Sequence, residues 1–202
     1  MDKESPEEKL ESYEIKKIEE QRLESVFSIL AGKNNKIGLK NIMNILKDLH
    51  DKSADSKHGK NSYKPSKAEV ELMIWEVDDD ADGYVCKEEF IKMYKRCIND
   101  DQGLEPRKLF NLVYFLMFKP MYTGTVTEED TLELLFVRYG REKLDDEIDA
   151  IFGTSERTFG YDDKQNFSER EITYPEYIKK VNQRAMDERK RKKEEKKNIN
   201  GS

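Results

Sequence analysis

The sequence predicts an all-α fold: a two-lobed array of four helix–loop–helix units, one intact and three degenerate, with short β-contacts between paired loops. Three observations point there. Stretches with apolar residues at helical spacing alternate with short polar loops. One of those loops, residues 78–89, carries acidic residues at alternate positions ahead of a glycine, and weaker copies of the same pattern recur along the chain. The composition agrees, because 40% charged against 36% apolar residues lets each lobe bury only a thin core coated by long charged side chains.

Residues 1–20 read as a charged helix, with Leu10, Tyr13, Ile15 and Ile18 spaced among charges and continued by Leu23 and Val26. Such a helix either packs on the first lobe or joins a partner's coiled coil. The first lobe is expected at residues 21–100. In its first unit Phe27, Ile29 and Leu30 lead in, Ile37 is the β-contact, and Ile42, Ile45 and Leu46 lead out. The loop between them, AGKNNKIGLKN, has no carboxylate, and Lys33 and Lys36 would repel a cation there. A polar insertion, DKSADSKHGKNSYKP at 51–65, follows and is expected to be mobile. The second unit opens with Ser66 as N-cap and Glu69 three residues on, a capping box after Pro65. Val70, Ile74 and Val77 recur on one face, as do Leu72 and Trp75; after the loop come Phe90, Met93, Tyr94, Cys97 and Ile98.

Between those two stripes residues 78–89 read DDDADGYVCKEE. Calcium is a hard cation that takes about six to eight oxygens, and a tight turn presents every second side chain inward. Asp78, Asp80 and Asp82 stand at positions one, three and five. Gly83 stands at six, where the chain turns sharply and a Cβ would obstruct it. Tyr84 would give its backbone carbonyl, its ring being immaterial, and Cys86 would act through water. Glu89 closes the shell with both carboxylate oxygens. The expectation is one calcium ion, bound at roughly 10⁻⁷ to 10⁻⁵ M, with magnesium able to take the site at resting calcium. Cys86 is either a redox-sensitive thiol or a tolerated small residue; neighbouring carboxylates should raise its pKa and slow its oxidation. Cys97 belongs to the apolar stripe.

The second lobe is expected at 101–186, joined through NDDQGLEP with Pro106 in the first turn of the next helix. Leu109 to Phe118 is apolar almost all round, which fits a buried helix or one whose remaining face meets a partner. In the third unit Gly124 and Val126 take the sixth and eighth places and Thr127 caps the following helix. Lys119, Met121 and Asp130 stand where ligands would be needed. The fourth unit keeps Ile172, Glu176 and Tyr177 in order, around a stretched polar insertion at 153–170 that should be flexible. Met43, Met73, Met93 and Met117 either line an opening groove or fill the core. The tail, 187–202, is either a basic hook for acidic surfaces or a helix fraying into solvent among Glu–Lys pairs.

The net charge of −6 argues against nucleic-acid binding. Two cysteines make no disulfide framework, no apolar leader opens the sequence, and the longest apolar run is about half what a bilayer span needs, so a soluble, cytoplasmic setting is expected. His50 and His58 lie near no cysteine or serine cluster, so no enzyme is expected.

Helix, loop and helix around residues 78–89 fit the EF-hand, and four tandem units resemble the calmodulin and centrin superfamily. The stretches ELMIWEVDDDADGYVCKEEF, GLEPRKLFNLVYFL and VRYGREKLDDEI are similar to the EF-hand subunit of the outer dynein arm docking complex of cilia. That resemblance implies a non-catalytic calcium-binding adaptor in the axoneme of a cilium or flagellum. It would help anchor dynein on doublet microtubules through coiled-coil partners. The ligands it implies fall on Asp78, Asp80, Asp82, Tyr84, Cys86 and Glu89. The alternatives are a free calcium sensor of the calmodulin type and a regulatory subunit of an enzyme.

Overall fold

In a computed structural model, residues 6–54, 65–100, 102–119, 123–154 and 170–200 are described, the side chains of 6–16, 53–54 and 195–200 excepted. The insertions expected to be mobile at 51–65 and 153–170 fall largely outside that description, as do Met121 and the side chains of Leu10, Tyr13 and Ile15.

Helix α1 (Pro6–Ala31) runs unbroken through residues 20 and 21, and a short 3₁₀ turn at Gly32–Asn34 ends it. Helix α2 (Leu39–Ala54) follows, then α3 (Lys67–Trp75), where the Ser66 hydroxyl accepts from the Glu69 N–H at 3.1 Å as the capping pattern requires. The acidic loop leads to α4 (Lys87–Ile98) and a turn to α5 (Lys108–Phe118). Strand β1 (Thr125–Thr127) enters α6 (Glu128–Phe152), and β2 (Glu171–Thr173) enters α7 (Tyr174–Asn200). Helix α6 is two helical pieces joined at Gly140, whose φ of 71° only glycine adopts without strain.

Two antiparallel contacts tie the loops together. Ile37 and Val85 exchange backbone hydrogen bonds of 2.9 and 2.8 Å, and Val126 pairs with Ile172 in the two-stranded β1–β2 sheet. All four are β-branched residues at the loop middle, where an extended backbone suits them, and all four are buried.

Buried residues from both halves of the chain join in one core cluster. Helix α5 explains this. All ten residues from Leu109 to Phe118 are buried, and a helix apolar on every side needs cover on every side. Helices α1, α3, α4, α6 and α7 all pack on it, which fits the buried-helix alternative. The opening helix, for its part, meets α5 and α6 as well as α2.

Polar ties reinforce this seam. The Arg22 guanidinium on α1 donates to the Met117 and Phe118 carbonyls at 2.8 and 3.3 Å, satisfying the free C-terminal end of α5, and it also pairs with Glu133. Glu19 accepts from Arg138 of α6 at 3.0 Å and from the Tyr94 hydroxyl of α4. Further out, Arg184 on α7 grips Glu147 with two bonds of 2.5 and 2.6 Å. Met73, Met93 and Met117 lie in the core, with at most 3% of their surface exposed.

Pro106 precedes α5 instead of sitting in its first turn, and its carbonyl accepts from the Cys97 thiol. The turn is organised by Asp100, whose side chain is 6% exposed. Its carboxylate accepts from the Leu104 and Glu105 N–H groups at 3.1 and 2.9 Å and from Arg107 at 3.2 Å. Burial alone would raise its pKa; those backbone donors and then Arg107 more than reverse that and bring it down to about 2.

A folded-state pKa below the unfolded value of about 3.9 stabilises the fold above that value, and the contribution is lost as pH falls towards 2. Asp100→Asn should therefore lower the melting temperature by roughly 2–4 °C at pH 7. The gap to wild type should close between about pH 4 and pH 2, as read by thermal denaturation followed by circular dichroism.

Candidate metal centre

The acidic loop is built by backbone N–H groups turned onto its own carboxylates. Asp78 accepts from the Asp82 N–H at 3.1 Å and the Gly83 N–H at 2.8 Å; Asp80 accepts from the Asp82 N–H at 3.1 Å; Asp82 accepts from the Tyr84 N–H at 2.8 Å. These bonds draw one carboxylate oxygen each of Asp78, Asp80 and Asp82 to within 4.8 Å of one another. Oxygens so spaced suit a cation whose ligands stand about 2.3–2.6 Å away, and an all-oxygen, anionic donor set suits a hard divalent ion. The residues present fit calcium.

Glu89 is placed differently from the three aspartates. Its carboxylate spans the mouth of the loop: Oε1 accepts from the Asp79 and Asp80 N–H groups at 2.8 and 3.4 Å, and Oε2 from the Cys86 N–H at 2.9 Å. At 8% exposure it is a buried anion held by backbone dipoles at the start of α4. It joins the loop's two ends and sits next to the aspartate cluster without being counted in it. Cys86 is the residue before α4, and its thiol lies beside the Glu89 N–H. That N–H favours the thiolate, but burial and hydrogen bonding to the Glu89 and Glu88 carboxylates outweigh it and hold the pKa above the ordinary thiol value. Both cysteines are free, and burial pushes Cys97 up to about 11.

Two details depart from the sequence reading. A Cβ on Gly83 would meet nothing within 4 Å, so glycine is needed for its φ of 83° and not for space. The Tyr84 ring, expected to be immaterial, lies against the backbone of the neighbouring loop, where a Cβ on Gly38 would come within 2.8 Å of it.

Cations outside the loop meet its acids. Lys92 of α4 bonds Asp79 at 2.5 Å and Lys36 of the first loop pairs with Asp82, while Lys87, within the loop, reaches Glu24 of α1 at 2.5 Å. Sequence reasoning assigned Lys36 only a repulsive role inside its own loop; its partner comes from the loop that the Ile37–Val85 contact brings alongside. Lys36 holds the Asp82 carboxyl below its ordinary pKa, and Lys92 does the same for Asp79.

The loops of the second half hold internal cations near the positions a metal would take. Lys119 donates to Asp130 at 2.9 Å, and the same Asp130 oxygen accepts from the Thr127 N–H at 2.9 Å. The Thr127 hydroxyl accepts from the Asp130 N–H in return. Burial would raise the Asp130 pKa, yet the Thr127 N–H and Lys119 hold it below the usual range. Near β2, Arg170 bonds Glu128 and the Gly153 carbonyl at 2.7 and 2.6 Å, while Glu176 accepts from the Thr173 N–H and hydroxyl at 2.9 and 2.7 Å. Among the described residues, Asp78, Asp80 and Asp82 form the cluster able to hold a metal ion.

Residues 38–97, from the end of the first loop through α4, match the family described as an EF-hand domain pair. The match covers under a third of the chain and contains α3, the acidic loop and all but the last residue of α4. It supports placing this part of the chain in the EF-hand superfamily, whose domain implies calcium binding. No curated protein matches the chain at a significant level.

Glu89→Gln should weaken calcium binding by at least about tenfold in calorimetry, because the carboxylate that joins the ends of the acidic loop loses its charge. Lys119→Met leaves Asp130 with Thr127 alone, through its N–H and side chain. It should cost about 1 kcal/mol of stability in urea unfolding, equally with and without calcium, since the pair is partly shielded from water.

Proposed function

We propose that the chain is a calcium-binding EF-hand adaptor of four units. One ion sits at Asp78, Asp80 and Asp82 with Glu89, the Tyr84 carbonyl and a water beside Cys86, and the second half is a metal-independent docking body. The EF-hand match over residues 38–97 and the aspartate cluster support the calcium reading. The observation that carries the adaptor reading is the buried α5, enclosed by helices from both halves and tied to α1 through Arg22. A sensor that grips targets by opening a methionine-lined groove needs apolar surface it can uncover cheaply. Here that surface is already the shared core, and separating α1 from α5 and α6 would strip the Arg22 and Glu19 bonds as well.

The finer identity, a small subunit helping to dock outer-arm dynein on axonemal doublets with coiled-coil partners, rests on the resemblance of three segments. It sits with a non-catalytic, cytoplasmic protein that has no nucleic-acid role. Among the described residues no helix is long and apolar enough to cross a membrane. Residues 183–190 on α7 are exposed, which leaves that part of the helix accessible to partners. A free sensor, or the regulatory subunit of an enzyme, is the competing reading.

Calcium titration of the full chain separates these. The adaptor reading expects binding heat with less than about a twofold rise in hydrophobic-dye fluorescence and little change at Trp75, which is 74% exposed already. A several-fold dye increase would favour the sensor. Recovery of a catalytic subunit from ciliated-cell extract would favour the enzyme-linked reading, and recovery of coiled-coil axonemal proteins the adaptor.

A further inference from the structure

Three consecutive residues of the first loop touch the calcium loop. Lys36 pairs with Asp82, Ile37 exchanges hydrogen bonds with Val85, and Gly38 lies beneath the Tyr84 ring. The middle contact is buried and fixes the backbone, so the residues on either side are delivered to set places. A side chain longer than hydrogen at Gly38 would collide with the ring, and the Lys36 ammonium is set down on a carboxylate that a calcium ion would need. The first loop has no acids of its own, yet its surface is shaped to its neighbour.

We propose that Lys36 is a tethered counter-ion of the calcium loop, holding the Asp82 carboxylate so that an incoming divalent ion has to draw it away, and that this residue sets the affinity of the site. The inference rests on the calcium reading above and deepens it. The physical reason is Coulombic. An ammonium in contact with a ligand oxygen offsets part of the negative charge that attracts the metal, and a cation of twice its charge then has to share or displace it. The side chains of Lys36 and Asp82 are 46% and 34% exposed, so solvent and salt weaken the effect without removing it. Lys92 provides an internal comparison, being the same residue type on Asp79, which is not among the ligands.

The test uses calorimetric calcium titration of the full chain with Lys36→Met, Lys36→Glu, Lys36→Arg and Lys92→Met. Lys36 is exposed enough that none of its replacements disturbs the core. Lys36→Met should bind calcium roughly three- to tenfold more tightly than wild type, Lys36→Glu more tightly still, and Lys36→Arg like wild type. Lys92→Met should show less than a third of the Lys36→Met gain, and the gain should shrink as salt rises from 0.05 to about 0.5 M. If wild type takes up no calcium, the calcium reading falls and this inference with it. If wild type binds but Lys36→Met matches it, or matches Lys92→Met, the calcium reading stands and the tethered counter-ion is overturned.

Discussion

The packing of this protein follows from one helix that has nowhere to hide a face. From Leu109 to Phe118 every residue of α5 is buried, Asn111 included. Exposing such a surface would cost about 25 cal/mol for each Å² of apolar area, and no single helix pair covers all sides of a third helix. The chain therefore folds both halves around it. Helix α1 is long enough to serve the first half with Leu23, Val26, Phe27 and Leu30 while its earlier residues, through Glu19 and Arg22, fasten α4, α5 and α6. The ring contacts of Tyr94, Phe110, Tyr114 and Phe118 run along the same seam, with Arg138 lying over the Tyr114 ring.

Electrostatics divides the two halves by the source of their positive charge. In the second half the cations beside the acids are side chains: Lys119 stands on Asp130 and Arg170 on Glu128. In the first half the acids outnumber such partners, and three aspartates converge with their oxygens on one another. Backbone N–H groups offset part of that repulsion, which is why the loop folds around Asp78 and Glu89 so closely. The cluster that results could hold a divalent ion.

Local signals were the ones legible in the sequence. Ser66 and Thr127 cap their helices with groups three residues away, and Ile37, Val85, Val126 and Ile172 pair because a β-branched residue at a loop centre favours extended backbone. The aspartate spacing named the cluster for the same reason, since a turn alone brings alternate side chains together. What escaped were choices made between distant segments. Nothing near Arg22 says that its guanidinium ends α5, some 95 residues away, and nothing near Lys36 says that its partner is Asp82. A charged residue read alone has a sign but no address, and the fold supplies the address. The breadth of α5 signalled a need for cover on every side, but which helices supply that cover is again a choice between distant segments.

Gly140 has a consequence for how the chain tolerates change in length. Because the two pieces of α6 meet at that one backbone torsion with no connecting loop, the distance from β1 to the helix before β2 is counted out residue by residue. Adding or deleting one position between Gly140 and Glu147 would rotate the rest of α6 by about 100° around its axis. Ile148 and Ile151 would swing outward, and Glu147 would lose Arg184. The segment behaves as a ruler whose graduations are residues, so substitutions on its outer surface are tolerated where insertions are not.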